Sequence, residues 1–94
     1  MIAVSTIPPS VDAALRDRIR KVFKAHVALG VSLEELKDSS DLYNAGMSSH
    51  SSVLLMVALE NEFGLEFPDG MLSRDVFESI DSIANAIQTV QQQQ

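Results

Sequence analysis

The chain has 94 residues, 46% of them apolar and none of them cysteine, so it can build one small core but neither a disulfide framework nor a thiolate metal site. Its formal charge of −6 is unevenly placed: Arg16, Arg18, Arg20, Lys21, Lys24 and Lys37 all precede residue 38, and Arg74 is the only later lysine or arginine. Such an acidic surface repels phosphate backbones and anionic lipids, which disfavours nucleic-acid and membrane partners and favours basic proteins; with no membrane-length apolar run and no secretory signal, a soluble cytoplasmic protein is expected.

Thr6-Ile7-Pro8-Pro9 removes backbone donors and opposes helix, so residues 1–9 are expected to be an extended leader. Ser10 then suits an N-cap, and Val11, Leu15, Ile19, Val22, Phe23 and Val27 recur at helical spacing, with basic residues on the other face and Gly30 as the stop. His26 falls on or beside that apolar stripe, where a partly buried structural role is expected rather than a ligand role. Residues 31–48 form a long connection in which Ser32-Leu33-Glu34-Glu35 has a capping-box pattern and Leu33, Leu36, Leu42 and Tyr43 are candidate core anchors. A second helix is expected from about Ser49 to Phe63, stopped by Gly64, with Val53, Met56, Leu59, Glu60 and Phe63 marking its inward side and edge. After the Leu65-Glu66-Phe67-Pro68-Asp69-Gly70 turn, Met71 to Phe77 has room only for a short helix. Ser79 suits the N-cap of a last helix carrying Ile80, Ile83 and Ile87, and Gln91 to Gln94 is expected to be a disordered tail. No segment alternates apolar and polar residues for long, so the fold class is all-α: an antiparallel bundle of three main helices and one short one, spanning residues 10–90, with a long crossover.

The stretch Asn44-Ala45-Gly46-Met47-Ser48-Ser49-His50-Ser51-Ser52 places a glycine and a serine cluster at the start of the most apolar helix. A nucleophilic serine needs a base within hydrogen-bond reach and a group to orient it. His50 is the neighbour of Ser49 in sequence, but adjacent residues on a helix point about 100° apart at roughly 3.6 residues per turn. Two separated histidines make no metal site, and no glycine-rich phosphate loop is present. A helix N-terminus, in contrast, offers unpaired N–H groups and a positive dipole end to a phosphate. With Ser48 as N-cap, accepting from the N–H of His50 or Ser51, the Ser49 hydroxyl is left facing solvent. Spacing alone leaves two readings open: serines that merely cap and solubilise a helix, or a serine that bears a phosphate-linked group.

Taken together, Asp41-Leu42-Tyr43-Asn44-Ala45-Gly46-Met47-Ser48-Ser49, Val53, Leu55, Met56, Leu59-Glu60-Asn61-Glu62-Phe63 and Phe67-Pro68-Asp69 resemble the acyl carrier proteins, over about residues 11–90. The resemblance implies a four-helix bundle with a long loop between helices 1 and 2 and a short helix 3. It also implies a covalent 4′-phosphopantetheine arm, added by a phosphopantetheinyl transferase, on the motif serine, here Ser49, with Gly46, Met47, Ser48 and His50 as motif neighbours. The arm's thiol carries a cargo as a thioester, and the protein is not an enzyme. The family's usual Asp is Ser48 here and its usual Leu is His50, which puts recognition by the standard transferase in doubt.

Those departures, with Ser52-Val53, Leu55-Met56, Glu66-Phe67-Pro68-Asp69 and Leu72, are similar to the bacterial aminoacyl carrier proteins, which are loaded by amino acid:carrier protein ligases resembling class II seryl-tRNA synthetases. The resemblance implies a glycine or alanine cargo, transferred from its adenylate, and leaves the downstream acceptor unnamed. The alternatives are an acyl carrier for fatty acyl or polyketide chemistry, and, of another class, an unmodified helical interaction module. Along helix 2, His50, Leu54, Val57 and Asn61 share a stripe at spacings of four, three and four. Ordinary carriers tend to be acidic there, so His50, Leu54 and Val57 are candidate partner-binding residues, against the simpler reading that so apolar a helix is buried on more sides.

Overall fold

A computed structural model describes residues 9–27, 29 and 31–93, and among these every regular element is a helix. Helix α1 (Pro9–His26), α2 (Ser49–Phe63), the single-turn α3 (Arg74–Phe77) and α4 (Ile80–Gln93) follow in order, with 3₁₀ turns at Leu33–Glu35 and Asp69–Met71. Helix α1 packs on both α2 and α4, and α3 packs on α4. Ile19 and Phe23 of α1, Leu55 and Leu59 of α2, and Ile80, Ile83 and Ile87 of α4 meet in the centre with Leu42 from the long loop, all fully buried. Burying such side chains contributes about 1.5–3 kcal/mol each, which is the main force holding the three long helices together.

The ends of the elements follow from local chemistry. Ser48 is extended (φ −84°, ψ 166°) and its Oγ accepts from the Ser51 N–H, as an N-cap does. Gly64 closes α2 in the left-handed region (φ 62°), and the Glu60 carbonyl accepts from both the Gly64 N–H and, at 3.1 Å, the Leu65 N–H. Ser79 caps α4 through the Ser82 N–H at 3.0 Å.

Several expectations shift. Helix α1 opens at Pro9, so Pro9 belongs to the helix rather than to a leader, and Ser10 lies inside it. A first helical residue needs no N–H, which is why proline is suited there. The rest of the expected leader, residues 1–8, lies outside the described residues, as does Gly30; α1 already ends at His26. His26 is exposed rather than partly buried, because the chain leaves the helix there and Val27 takes the inward place, its N–H donating to the Phe23 carbonyl at 2.8 Å. Ser32 does not cap the 3₁₀ turn; its hydroxyl donates to the Glu34 carboxylate at 2.6 Å. Helix α4 runs through Gln93, so Gln91 to Gln93 are helical and not a disordered tail, consistent with the good helix propensity of glutamine; Gln94 is outside the described residues. On α2 the inward pair is Leu55 and Leu59, and Val53, expected on the inward side, is 54% exposed. Two residues of α-helix turn through roughly 200°, so Val53 must point away from Leu55.

Candidate functional site

The long loop delivers Ser48 and Ser49 to the start of α2, and its course is fixed at both ends. Arg20 of α1 reaches across to it: Nη2 donates to Asp38 Oδ1 at 2.7 Å and to the Leu36 carbonyl at 2.9 Å, while Nη1 donates to the Leu33 carbonyl at 3.0 Å. Arg16 joins Asp81 of α4 at 2.9 Å and Asp38 at 3.7 Å. The backbone completes the tie, the Asp81 N–H donating to the Asp38 carbonyl at 2.9 Å and the Leu42 N–H to the Glu78 carbonyl at 2.7 Å.

From there the chain coils tightly. Asp41 Oδ1 accepts from the N–H groups of Tyr43 (3.0 Å) and Asn44 (3.2 Å), an Asx-type turn that starts the reversal. Gly46 follows with φ 121°, a backbone state that side-chain-bearing residues rarely adopt, and this turns Met47 into the core while its N–H donates to the Leu42 carbonyl at 3.0 Å. The glycine and the methionine of the motif thus act mechanically, setting the angle at which α2 begins.

Four serines stand at that beginning, and three of their hydroxyls are engaged. Ser48 Oγ accepts from the Ser51 N–H at 3.0 Å and pairs with Ser51 Oγ at 3.0 Å, and Ser52 Oγ donates to the Ser49 carbonyl at 2.7 Å. The Ser49 hydroxyl has no hydrogen-bond partner among the described residues, and Ser49 is exposed. The His50 side chain, also exposed, is in no hydrogen bond or ion pair among the described residues. Nor do three His, Asp or Glu side chains converge anywhere among the described residues to hold a metal ion.

Ser49 sits on the rim of an open cleft of about 270 Å³ between α2 and α3, lined also by Tyr43, Ser52, Val53, Met56, Leu72, Arg74 and Phe77. Its floor is braced by Phe77, whose ring meets that of Phe67 edge-on, centroids 5.5 Å apart at 79°. Phe67 is itself held by the Glu60 carboxylate, which accepts its N–H at 2.9 Å. Outside the cleft, Leu54 and Val57 are 46% and 45% exposed, and with Val53 and His50 they form a largely apolar strip along the solvent side of α2. Nothing in the sequence placed Tyr43 and Arg74 together: the guanidinium of Arg74 lies 4.1 Å from the centre of the Tyr43 ring. The signal available was the isolation of Arg74 as a lone cation in an acidic stretch.

Comparison with known proteins agrees with this geometry. The family model for the phosphopantetheine attachment site matches residues 13–87. An aminoacyl carrier protein of Agrobacterium fabrum (strain C58 / ATCC 33970) is 38% identical over 72 residues, covering 77% of this chain and 87% of the relative. The fold is similar to that of the Agrobacterium tumefaciens carrier protein solved in complex with an engineered Bradyrhizobium japonicum glycine:[carrier protein] ligase and ATP, with TM-score 0.78 and 36% identity, covering 81% of this chain and 99% of that one. A further Agrobacterium tumefaciens protein solved in solution matches with TM-score 0.62 and 34% identity over 86% of this chain and 93% of its own. Among the described residues no helix is long and apolar enough to cross a membrane. The all-helical bundle, the serine-bearing start of α2 and these matches lead to one conclusion: the chain belongs to the phosphopantetheine-attachment family, the carrier proteins, whose members bear a covalent phosphopantetheine.

Proposed function

We propose that the arm is joined to Ser49 Oγ and that the chain is an aminoacyl carrier, holding glycine or alanine as a thioester and catalysing no reaction itself. The observation that carries the assignment is that, among the described residues, Ser49 keeps the one uncommitted hydroxyl of the serine cluster, exposed at the N-terminus of a 15-residue helix. The residues suit the group: the cap on Ser48 leaves the N–H groups of Ser49 and His50 without helical acceptors, and an attached phosphate lies at the positive end of the α2 dipole. When bound, phosphopantetheine supplies a thiol for the thioester. What this chain supplies is a rigid bundle, a fixed exit angle at Gly46 and Met47, and a surface for partners.

The loading partner in this reading is an amino acid:carrier protein ligase like the one solved with the similar Agrobacterium carrier. A phosphopantetheinyl transferase attaches the arm. His50, Leu54 and Val57 form the ligase's docking strip, because apolar side chains left about half exposed on a small domain are stabilised by covering them. The apolar cleft beside Ser49 favours a second cargo, an acyl chain, which would gain from burial there as an ammonium-bearing aminoacyl group would not.

Intact mass tests the attachment. Co-production with a phosphopantetheinyl transferase that arms the similar Agrobacterium carrier should add one arm to the wild type and to Ser48→Ala and none to Ser49→Ala; a wild type that gains no mass refutes the carrier reading and leaves an unmodified interaction module. Incubation of the arm-bearing form with ligase, ATP and single amino acids then identifies the cargo. Leu54→Glu should slow loading without altering the fold, and unchanged loading kinetics would count against the docking strip.

A further inference from the structure

The charge of Arg74 is not used by the fold in any ion pair among the described residues. The other lysines and arginines with ion pairs all work on structure: Arg18 pairs with Glu62 at 2.9 Å, Lys21 with Asp17 at 3.3 Å, Lys24 with Glu34, and Arg16 and Arg20 hold the loop. Arg74 forms no salt bridge among the described residues, although acidic residues surround it in sequence and it is the only lysine or arginine after residue 37. It is exposed, yet its guanidinium carbon lies over the Tyr43 ring, 4.1 Å from the ring centre, a cation–π contact that restrains the side chain. Arg74 lines the same cleft as Ser49 and Ser52.

We infer that the Arg74 guanidinium binds the phosphate of the arm on Ser49, pinning the arm's root across the mouth of the cleft between α2 and α3. The inference rests on the attachment at Ser49 proposed above. A phosphodiester placed on Ser49 adds negative charge to the acidic part of the chain, where the α2 N-terminus offers two N–H groups and Arg74 offers the one full counter-charge. A planar guanidinium already restrained over the Tyr43 ring can present two N–H donors to phosphate oxygens with less loss of rotamer freedom than an unrestrained one. The pair stands at the surface, so its effect is modest and depends on salt.

The experiment uses the full chain with and without its arm, mass-verified. Attachment should shift the Arg74 Nε–Hε resonance in ¹H–¹⁵N spectra, and the arm's ³¹P resonance should differ between wild type and Arg74→Gln. The wild-type difference should fade as ionic strength rises from about 0.01 M to about 1 M, as the screening length falls from roughly 30 to 3 Å. Arg74→Gln should lower the pinned population of the arm by roughly two- to fivefold, the range for an exposed charge pair, and Arg74→Lys should restore part of it. Backbone amide shifts far from α3 should match in all three proteins, which separates lost binding from a damaged fold; if Arg74→Gln disturbs them, Arg74→Lys and the salt series carry the test. An arm on Ser49 with identical ³¹P shifts in wild type and Arg74→Gln, or an Arg74 Nε–Hε resonance unmoved by attachment, overturns the inference while leaving the attachment intact. An unmodified mass overturns both.

Discussion

Arg20 is the residue on which the approach to Ser49 mechanically depends, and Arg20→Met tests this. The substitution keeps an unbranched apolar stem of similar reach but removes four hydrogen bonds: two to Asp38 Oδ1, at 3.1 and 2.7 Å, and one each to the carbonyls of Leu33 and Leu36. Charge-assisted bonds reach about 1.5–3 kcal/mol each at most, but they are not additive, and the Asp38 side chain is 39% exposed, so the ion-pair share must be discounted for solvent. The Leu33 carbonyl keeps a second donor, the Leu36 N–H at 3.0 Å, which lowers the cost of losing Arg20 on that side. The net loss is about 2 kcal/mol. For a domain of this size each kcal/mol moves Tm by about 4–8 °C, so Arg20→Met should melt roughly 8–16 °C below the wild type. Asp38→Asn, which keeps the oxygen acceptor but loses the charge, should cost only about 0.5–1 kcal/mol. Urea and thermal unfolding of both variants and of the double variant measure the coupling directly. A drop of less than about 2 °C for Arg20→Met would refute the clamp and leave burial of Leu33, Leu42 and Met47 as what holds the loop.

Ser48→Ala removes the α2 N-cap and should cost about 1 kcal/mol in urea unfolding, whereas Ser49→Ala, whose hydroxyl has no hydrogen-bond partner among the described residues, should stay within about 0.5 kcal/mol of wild type. The hydrogen bond from Lys24, assisted by that from Ser32, lowers the Glu34 pKa from 4.5 to about 2. A folded-state pKa below the unfolded one gives a contribution that is complete above 4.5 and is lost as pH falls through about 2; ¹³C-detected titration should place the Glu34 midpoint well under the ordinary carboxylate range, and Lys24→Met should raise it. Loading glycine onto the arm should leave core amide shifts nearly unchanged, since a small ammonium-bearing group gains little from an apolar cleft; large shifts at Phe77 or Met56 would show instead that the cargo enters it.

The parts of this molecule legible in its sequence are those governed by local rules. The Ser48 cap, the Gly64 stop, the Ser79 cap and the isoleucine stripe of α4 each depend on residues within one or two turns, and the structure places them as expected. Helix α2 shows where such rules stop. From Val53 to Leu59 every residue is apolar, so periodicity cannot choose an inward face. The choice is made by packing against α1 and the shared core, where Leu55 and Leu59 are fully buried, and it leaves Val53 exposed alongside Leu54 and Val57. The cleft lies equally beyond local rules, since its walls come from a loop and a single turn of helix with no periodicity, joined by Arg74 on Tyr43 and Phe67 on Phe77. Both surprises flank Ser49 or continue along its helix. A small bundle that needed only to fold could place polar residues at 53, 54 and 57 at no cost to the buried pair. Apolar side chains kept there instead gain about 25 cal/mol for each Å² that a partner covers, so the physics that leaves the strip bare in the free chain is what a loading enzyme can use.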